Sequence, residues 1–303
     1  MKINKLSRKA RDTGSRILAI CALTACSSIT YGATLNVCKT ACSYTTIQSA
    51  INAAKAYDTV QVGSGTFFEN LVVPAIPMNI LGSGEDDTVI DGSMRGTVIS
   101  FADPVQLSIV GVTITNGQGG IGASEKGFGT LNVTNCIVIS NLGTGIFLGH
   151  ASATITGSII SHNKSRAADG SLTGEGGAIW AEGLGGFLSS TVTITNSTIT
   201  RNSASDGGAV FYNGPGTLNI SGSTITDNTA DFGGGFWVDQ FSSGTISLTN
   251  STVANNHANQ VGGAGCGGIV YRLSAFVGNT SSSATDVTDC SNPYDNLTLT
   301  TSN

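Results

Sequence analysis

One short stretch of this chain is written five times without gaps: TLNVTNCIVISN from Thr130, ATITGSIISHN from Ala153, TVTITNSTITRN from Thr191, TLNISGSTITDN from Thr217 and TISLTNSTVANN from Thr245. A weaker copy, LSIVGVTITN, begins at Leu107. The copies close on Asn141, Asn163, Asn202, Asn228 and Asn256, at intervals of 22, 39, 26 and 28 residues. Constant strands at variable intervals imply a solenoid that takes insertions at its corners, because each repeat touches only its neighbours. Inside each copy two apolar alternations meet at one special position, held in turn by Asn135, Gly157, Asn196, Gly222 and Asn250. Gly and Asn tolerate a left-handed backbone, so this position predicts a corner between two strands. Alternation then turns Val192 and Ile194 inward before the corner, and Ser197 and Ile199 inward after it. Cys136 occupies the register of Ser197 and is expected inside.

A third strand precedes each following copy, marked by GGAIWAEG from Gly176, GGAVFYNG from Gly207 and GGGFWVDQ from Gly233, with a weaker GTGIFLGH at Gly143. Three strands wound in one sense make a coil, and parallel crossovers are right-handed almost without exception. The expected fold is all-β, a single right-handed parallel β-helix. Between Thr59 and Tyr271 it has about eight coils, roughly 40 Å tall at ~4.8 Å per coil. With 41 glycines and 11% charged residues the composition suits many short strands with tight corners, and the glycines keep no collagen period. The end coil exposes an unpaired edge that needs covering. Thr45-Thr46-Ile47-Gln48 fits a capping box, and Ile47, Ala50, Ile51 and Ala54 fall at helical spacing, so an amphipathic helix over 46–56 is expected to plug the N-terminal end. Residues 280–303 read as an irregular polar tail.

The first 33 residues read as a secretion signal: Lys2, Lys5, Arg8, Lys9, Arg11 and Arg16, then the apolar run Ile17 to Ala25, then small residues to Ala33. Leu23-Thr24-Ala25-Cys26 also fits a lipoprotein processing box, so a lipid anchor at Cys26 is the alternative. No later segment approaches the ~20 apolar residues a bilayer requires, so no transmembrane segment is expected. The expected location is outside the cell, secreted or on a bacterial outer surface. Six of 14 basic and one of 19 acidic residues lie in the leader, leaving 8 against 18, a net charge of −10, for residues 34–303. Such a surface disfavours nucleic acid, and a polyuronate too unless divalent cations bridge the two. The cysteines Cys38, Cys42, Cys136, Cys266 and Cys290 follow the leader. Export favours the local disulfides Cys38 with Cys42 and Cys266 with Cys290, leaving Cys136 a buried free thiol.

The front end, TTIQSAINAA, VQVGSGTFFENLVV and ILGSGEDDTVIDG, resembles the opening of pectin methylesterases and of the wider pectin-lyase-like β-helix superfamily. The later GG motifs, with I-x-x-N closings such as Ile199 to Asn202, are similar to the repeats of chlamydial polymorphic outer-membrane proteins. Together the resemblances cover residues 45–275 and speak for fold more than activity. Methylesterase-like catalysis implies paired aspartates, one following a glutamine, near an arginine; this chain has no Gln-Asp dipeptide. The polymorphic proteins end in a membrane barrel, whereas this sequence stops at Thr301-Ser302-Asn303.

Three candidate sites follow from the repeat. Counted from the first glycine of each GG pair, position +4 holds Trp180, Phe211 and Trp237, and +6 holds Glu182, Asn213 and Asp239. If +4 faces outward, these form a ladder of rings beside polar acceptors, a surface suited to sugar; the competing reading puts the rings in the core. Glu175, Asp206 and Asp231 stand just before the GG pairs, where stacked carboxylates raise one another's pKa or recruit calcium, the one cofactor considered; the competing reading is a solvated acidic corner. His162, Arg201 and Asp227 share a register that a polysaccharide lyase or other carbohydrate-active enzyme would use for its base; the competing reading is a surface ion pair. The closing asparagines read as a structural ladder. The leading expectation is a secreted or surface-attached, adhesin-like protein that binds a polysaccharide or cell-surface glycan without catalysis, with an enzyme and a structural envelope component as alternatives.

Overall fold

The computed structural model describes residues 32–102, 105–123, 129–165, 174–182, 190–239, 244–282 and 300–301. The signal segment, Cys26 and Cys290 lie outside these residues. The unit from Tyr31 onward is a right-handed parallel β-solenoid of about eight turns. Among the described residues every strand pair is parallel, for example Thr191–Thr195 against Ser152–Thr156 on one side and Thr217–Ser221 on the other. The coil from Thr191 shows the plan: Thr191–Thr195, then Thr198–Thr200, then Ser203–Asp206, then Val210–Asn213. Each strand joins its equivalents on neighbouring coils, giving four sheets of 11, 9, 4 and 8 strands among the described residues. In chain order around the coil they are called the first, second, fourth and third sheets.

The fourth sheet was not expected. From Ser203 onward, coils gain a strand just after the closing asparagine, so three strands per coil becomes four. The C-terminal stretch also departs from an irregular tail: Thr280–Ser281 pairs with the strand at His257, and Thr300–Thr301 pairs with Val270 and Tyr271.

Both strand-to-strand corners are left-handed. The predicted corner runs through Gly111, Asn135, Gly157, Asn196, Gly222, Asn250 and Leu273, with φ between 47° and 63°. Just inside it stands a serine row. The Oγ of Ser197 accepts the backbone N–H of Ser158 at 3.1 Å and donates to the Thr195 carbonyl at 2.9 Å, a pattern repeated at Ser158, Ser223, Ser251 and Ser274. Cys136 heads this row as a buried free thiol, its Sγ bonded to the Thr134 carbonyl at 3.3 Å. Burial pushes the thiol pKa up to about 11.

The second corner precedes a buried asparagine row, Asn141, Asn163, Asn202, Asn228, Asn256 and Asn279. From Asn141 to Asn256 each Nδ2 donates to the Oδ1 of the next coil at 2.9–3.0 Å, and the same oxygen accepts the backbone N–H one coil back. The second Nδ2 proton goes to carbonyls, as from Asn202 to Ile160 and Thr200. Buried amides are thus paired on both faces, which is why asparagine can sit in an otherwise aliphatic core.

At the N-terminal end the helix is Ile47–Ala53, shorter than 46–56, with Ile47, Ala50 and Ile51 buried. Its cap is Thr46 rather than Thr45: the Thr46 hydroxyl accepts the Ser49 N–H, and the second partner comes from Glu69, whose two oxygens take the N–H groups of Ile47 and Gln48 at 2.9 Å each. Gln48 is thereby freed to lie along the outermost strand of the third sheet, Leu71–Val73, donating to the Val72 carbonyl and accepting its N–H. One side chain copies a strand's hydrogen bonds and blunts that edge. The loop before the helix is closed by the Cys38–Cys42 disulfide. Cys266 is also disulfide-bonded, and its expected partner Cys290 lies outside the described residues.

Candidate functional site

The third sheet carries the site. In Ile179–Glu182 and Val210–Asn213, Ile179, Ala181, Val210 and Tyr212 are fully buried, so period-two alternation sends Trp180, Phe211, Glu182 and Asn213 to the outer face. Strand register stacks that face into one row parallel to the solenoid axis: Val72, Ser100, Gly122, Phe147, Trp180, Phe211, Trp237 and Cys266. The +4 ladder therefore faces outward, but as two different halves.

In the half towards the C-terminus the rings lean on one another. Phe147 and Trp180 meet edge to face, with centroids 4.9 Å apart and planes at 64°; Trp180 and Phe211 are 6.4 Å apart at 84°. Such pairs are worth roughly 0.5–1.5 kcal/mol beyond area burial. Phe211 is only 5% exposed, edge-on to Trp180 and paired along the backbone with Trp237, so it supports the row rather than offering a contact face. Trp180 and Trp237 remain half-buried, two coils or ~9.6 Å apart. The buried indole N–H of Trp180 has no hydrogen-bond partner.

In the other half the row holds Ser100 and Gly122, and the missing side-chain bulk opens a groove of about 560 Å³. Val72, Ser100, Gly122, Phe147 and Trp180 line its long axis, with Thr97, Gln118 and Thr144 beside them. Val72 to Trp180 spans four coil steps, ~19 Å. Gln118 is exposed and Thr97 half-buried, so hydroxyl and amide groups border the apolar floor. Sequence reasoning missed this half, and it missed Phe147 although that residue is +4 from Gly143.

Carboxylates flank the rings on both sides. Glu182 pairs in register with Asn213, and Asp239 follows Val238, the partner of Tyr212, which makes the +6 row outward and adjacent. On the other side Glu175 is bridged to Asp206, and Asp206 is paired with Phe232. The Phe232 ring lies 5.5 Å from Trp237, so the Glu175–Asp206 row runs alongside the aromatic one. Burial, then the charges of Glu182, Asp206 and Asp239, push Glu175 up to about 7. Burial likewise raises Asp206, with Asp231 and Asp239 adding to it against a hydrogen bond from Ser205.

Asp231 does not complete the Glu175, Asp206 row. Phe232 holds the next place, while Asp231 accepts a 2.7 Å hydrogen bond from Asn259. Among the described residues no three His, Cys, Asp or Glu side chains converge as metal ligands. His162, Arg201 and Asp227 are successive residues of the second left-handed corner, with φ of 54–56°, all exposed and turned to solvent on the far side of the second sheet's strands. Their shared register reflects that backbone corner.

A family described as "Right handed beta helix region" matches residues 97–296. No curated protein matches the chain. Among solved structures, an alginate lyase from Paenibacillus sp. str. FPU-7 is similar over 84% of this chain and 97% of its own, at 13% identity and a TM-score of 0.53. The pectin methylesterase from carrot is similar over 91% and 90%, at 12% identity and 0.47, and the pectate lyase Pel9A over 82% and 74%, at 13% and 0.49. Likeness at such identity speaks for shared architecture alone. The matched family span takes in more than half of the 303 residues and every strand of the site except Leu71–Val73, and on that ground the chain belongs to the right-handed β-helix family.

Proposed function

We propose that this protein binds a polysaccharide laid along the solenoid axis, in the groove and aromatic row from Val72 to Trp237, and that it does so as an exported, surface-directed binding protein without catalysis of its own. The observation that carries the reading is the continuous outer row: a hollow made by Ser100 and Gly122 that runs straight into the exposed edges of Phe147, Trp180 and Trp237, bordered by polar groups. Sugar rings pack their C–H faces on aromatics while hydroxyls exchange hydrogen bonds with neighbouring side chains such as Thr97 and Gln118. The Cys38–Cys42 disulfide supports an oxidising location.

The test is Gly122→Phe. A Cβ there meets nothing closer than the Thr97 methyl at 3.2 Å, and Gly122 is not among the positive-φ glycines, so the variant should fold while its ring fills the hollow. Loss of binding on a glycan array with an unchanged melting temperature supports the reading; undiminished binding refutes it. A second reading, a carbohydrate-active enzyme, is favoured by Glu175, because a carboxyl that keeps its proton to about pH 7 has the properties of a general acid. Release of reducing ends or unsaturated products from a bound glycan, abolished by Glu175→Gln, would establish that reading instead.

A further inference from the structure

Resting on the polysaccharide reading above, we infer that the sugar chain taken by this site bears amino groups rather than carboxylates, its ammonium groups meeting the carboxylates that border the aromatic row. Glu175 and Asp206 on one side, Glu182 and Asp239 on the other, enclose Trp180, Phe211 and Trp237. Among the described residues the charges acting on Glu175 and Asp206 are carboxylates: Glu182, Asp206 and Asp239 on the first, Asp231 and Asp239 on the second. Both acids hold their protons more tightly than usual. A polyuronate entering this row adds like charge to like charge. Divalent ions relieve such repulsion only where oxygen ligands converge on a point, and these carboxylates are strung along two edges instead.

An ammonium group suits the same geometry twice. It pairs with a partly desolvated carboxylate, and it is attracted to the faces of tryptophan rings, best where water is excluded. A chain of amino sugars presents such groups at regular intervals along an extended backbone, as the acids are presented along the solenoid axis. The apolar floor, Thr97 and Gln118 then serve the sugar ring and its hydroxyls, as they would for a neutral glycan, and the carboxylates set the preference.

The experiment is calorimetric titration of the protein with three hexamers: β-1,4-glucosamine, its fully N-acetylated counterpart, and α-1,4-galacturonate. The glucosamine hexamer should bind about tenfold tighter than the N-acetylated one or better, as one partly desolvated charge pair provides, and should weaken as salt is added. The galacturonate hexamer should not bind. The double variant Glu175→Gln/Asp206→Asn, with folding checked by its melting temperature, should lose the preference and the salt dependence yet keep the affinity for the N-acetylated hexamer. Equal affinity for the amine and its acetylated form overturns the inference and leaves the polysaccharide reading standing. Tighter binding of galacturonate, or a preference that survives in the double variant, also overturns it. If no hexamer binds, both fall together.

Discussion

Replacing Asn202 by alanine tests the asparagine row where it is most heavily used. The side chain accepts two hydrogen bonds from Asn163, from the backbone N–H and from Nδ2 at 3.0 Å each, and gives protons to Asn228, Ile160 and Thr200. Alanine leaves the two Asn163 donors buried and unpaired, whereas the carbonyls of Ile160 and Thr200 each keep a second lone pair. At ~1–3 kcal/mol for each orphaned buried donor, partly relieved by relaxation, the cost is about 3–5 kcal/mol. Asn228→Ala should cost the same by stranding the Asn202 donors. The double variant strands three donors rather than four, because the Asn202 amide is gone, so the two changes should fall short of additivity by ~1–2 kcal/mol. Urea unfolding at unchanged m-value gives all three numbers. A loss below ~1 kcal/mol for the single variant, or strict additivity, would refute the view that the row is a chain of mutually dependent bonds.

The remaining predictions concern single sites. Leu273 is 76% exposed and sits at the left-handed corner with φ 50°, a place held on most other coils by Gly or Asn, so Leu273→Asn should stabilise the protein by ~1 kcal/mol, read as a higher melting temperature. Cys136→Ser completes the serine row with the hydroxyl its neighbours use, so stability should change by less than ~1 kcal/mol, and the native thiol should resist alkylation until the chain unfolds. Glu175 keeps its proton to about pH 7 in the folded state, above its unfolded value, so its stabilising share is complete at low pH and is lost as pH rises through 7. Glu175→Gln should therefore melt higher than the parent above neutrality, with the gap closing as pH falls towards the ordinary glutamate range of ~4.3; a gap independent of pH would contradict the assignment.

The corners and rows were legible because repetition filters out everything except backbone need. Only Gly and Asn at the first corner and only Asn at the coil's close survive five copies, and both signals are local. What failed was whatever depends on partners distant in sequence. Ser203–Asp206 has no β-branched or aromatic residue, and its strand state comes from pairing with Thr229–Phe232. The helix cap shifted by one residue because Glu69, not a neighbour on the same turn, supplies the carboxylate. Asp231 was grouped with Glu175 and Asp206 by proximity to its glycines, yet register from Gly207 to Gly233 places Phe232 opposite Asp206. The groove left no motif, since it is made by the small side chains at Ser100 and Gly122.

The asparagine intervals bear on how such a protein diversifies. The longest, 39 residues from Asn163 to Asn202, contains the strand that presents Trp180. The bonds from Asn163 to Asn202 and from Ser158 to Ser197 close across that interval as tightly as across 26 residues. Coil alignment is thus set by the asparagine and serine rows rather than by the third sheet. Sequence between one asparagine and the next can be lengthened or exchanged, in evolution or in a selection library, without resetting the register of any coil above or below.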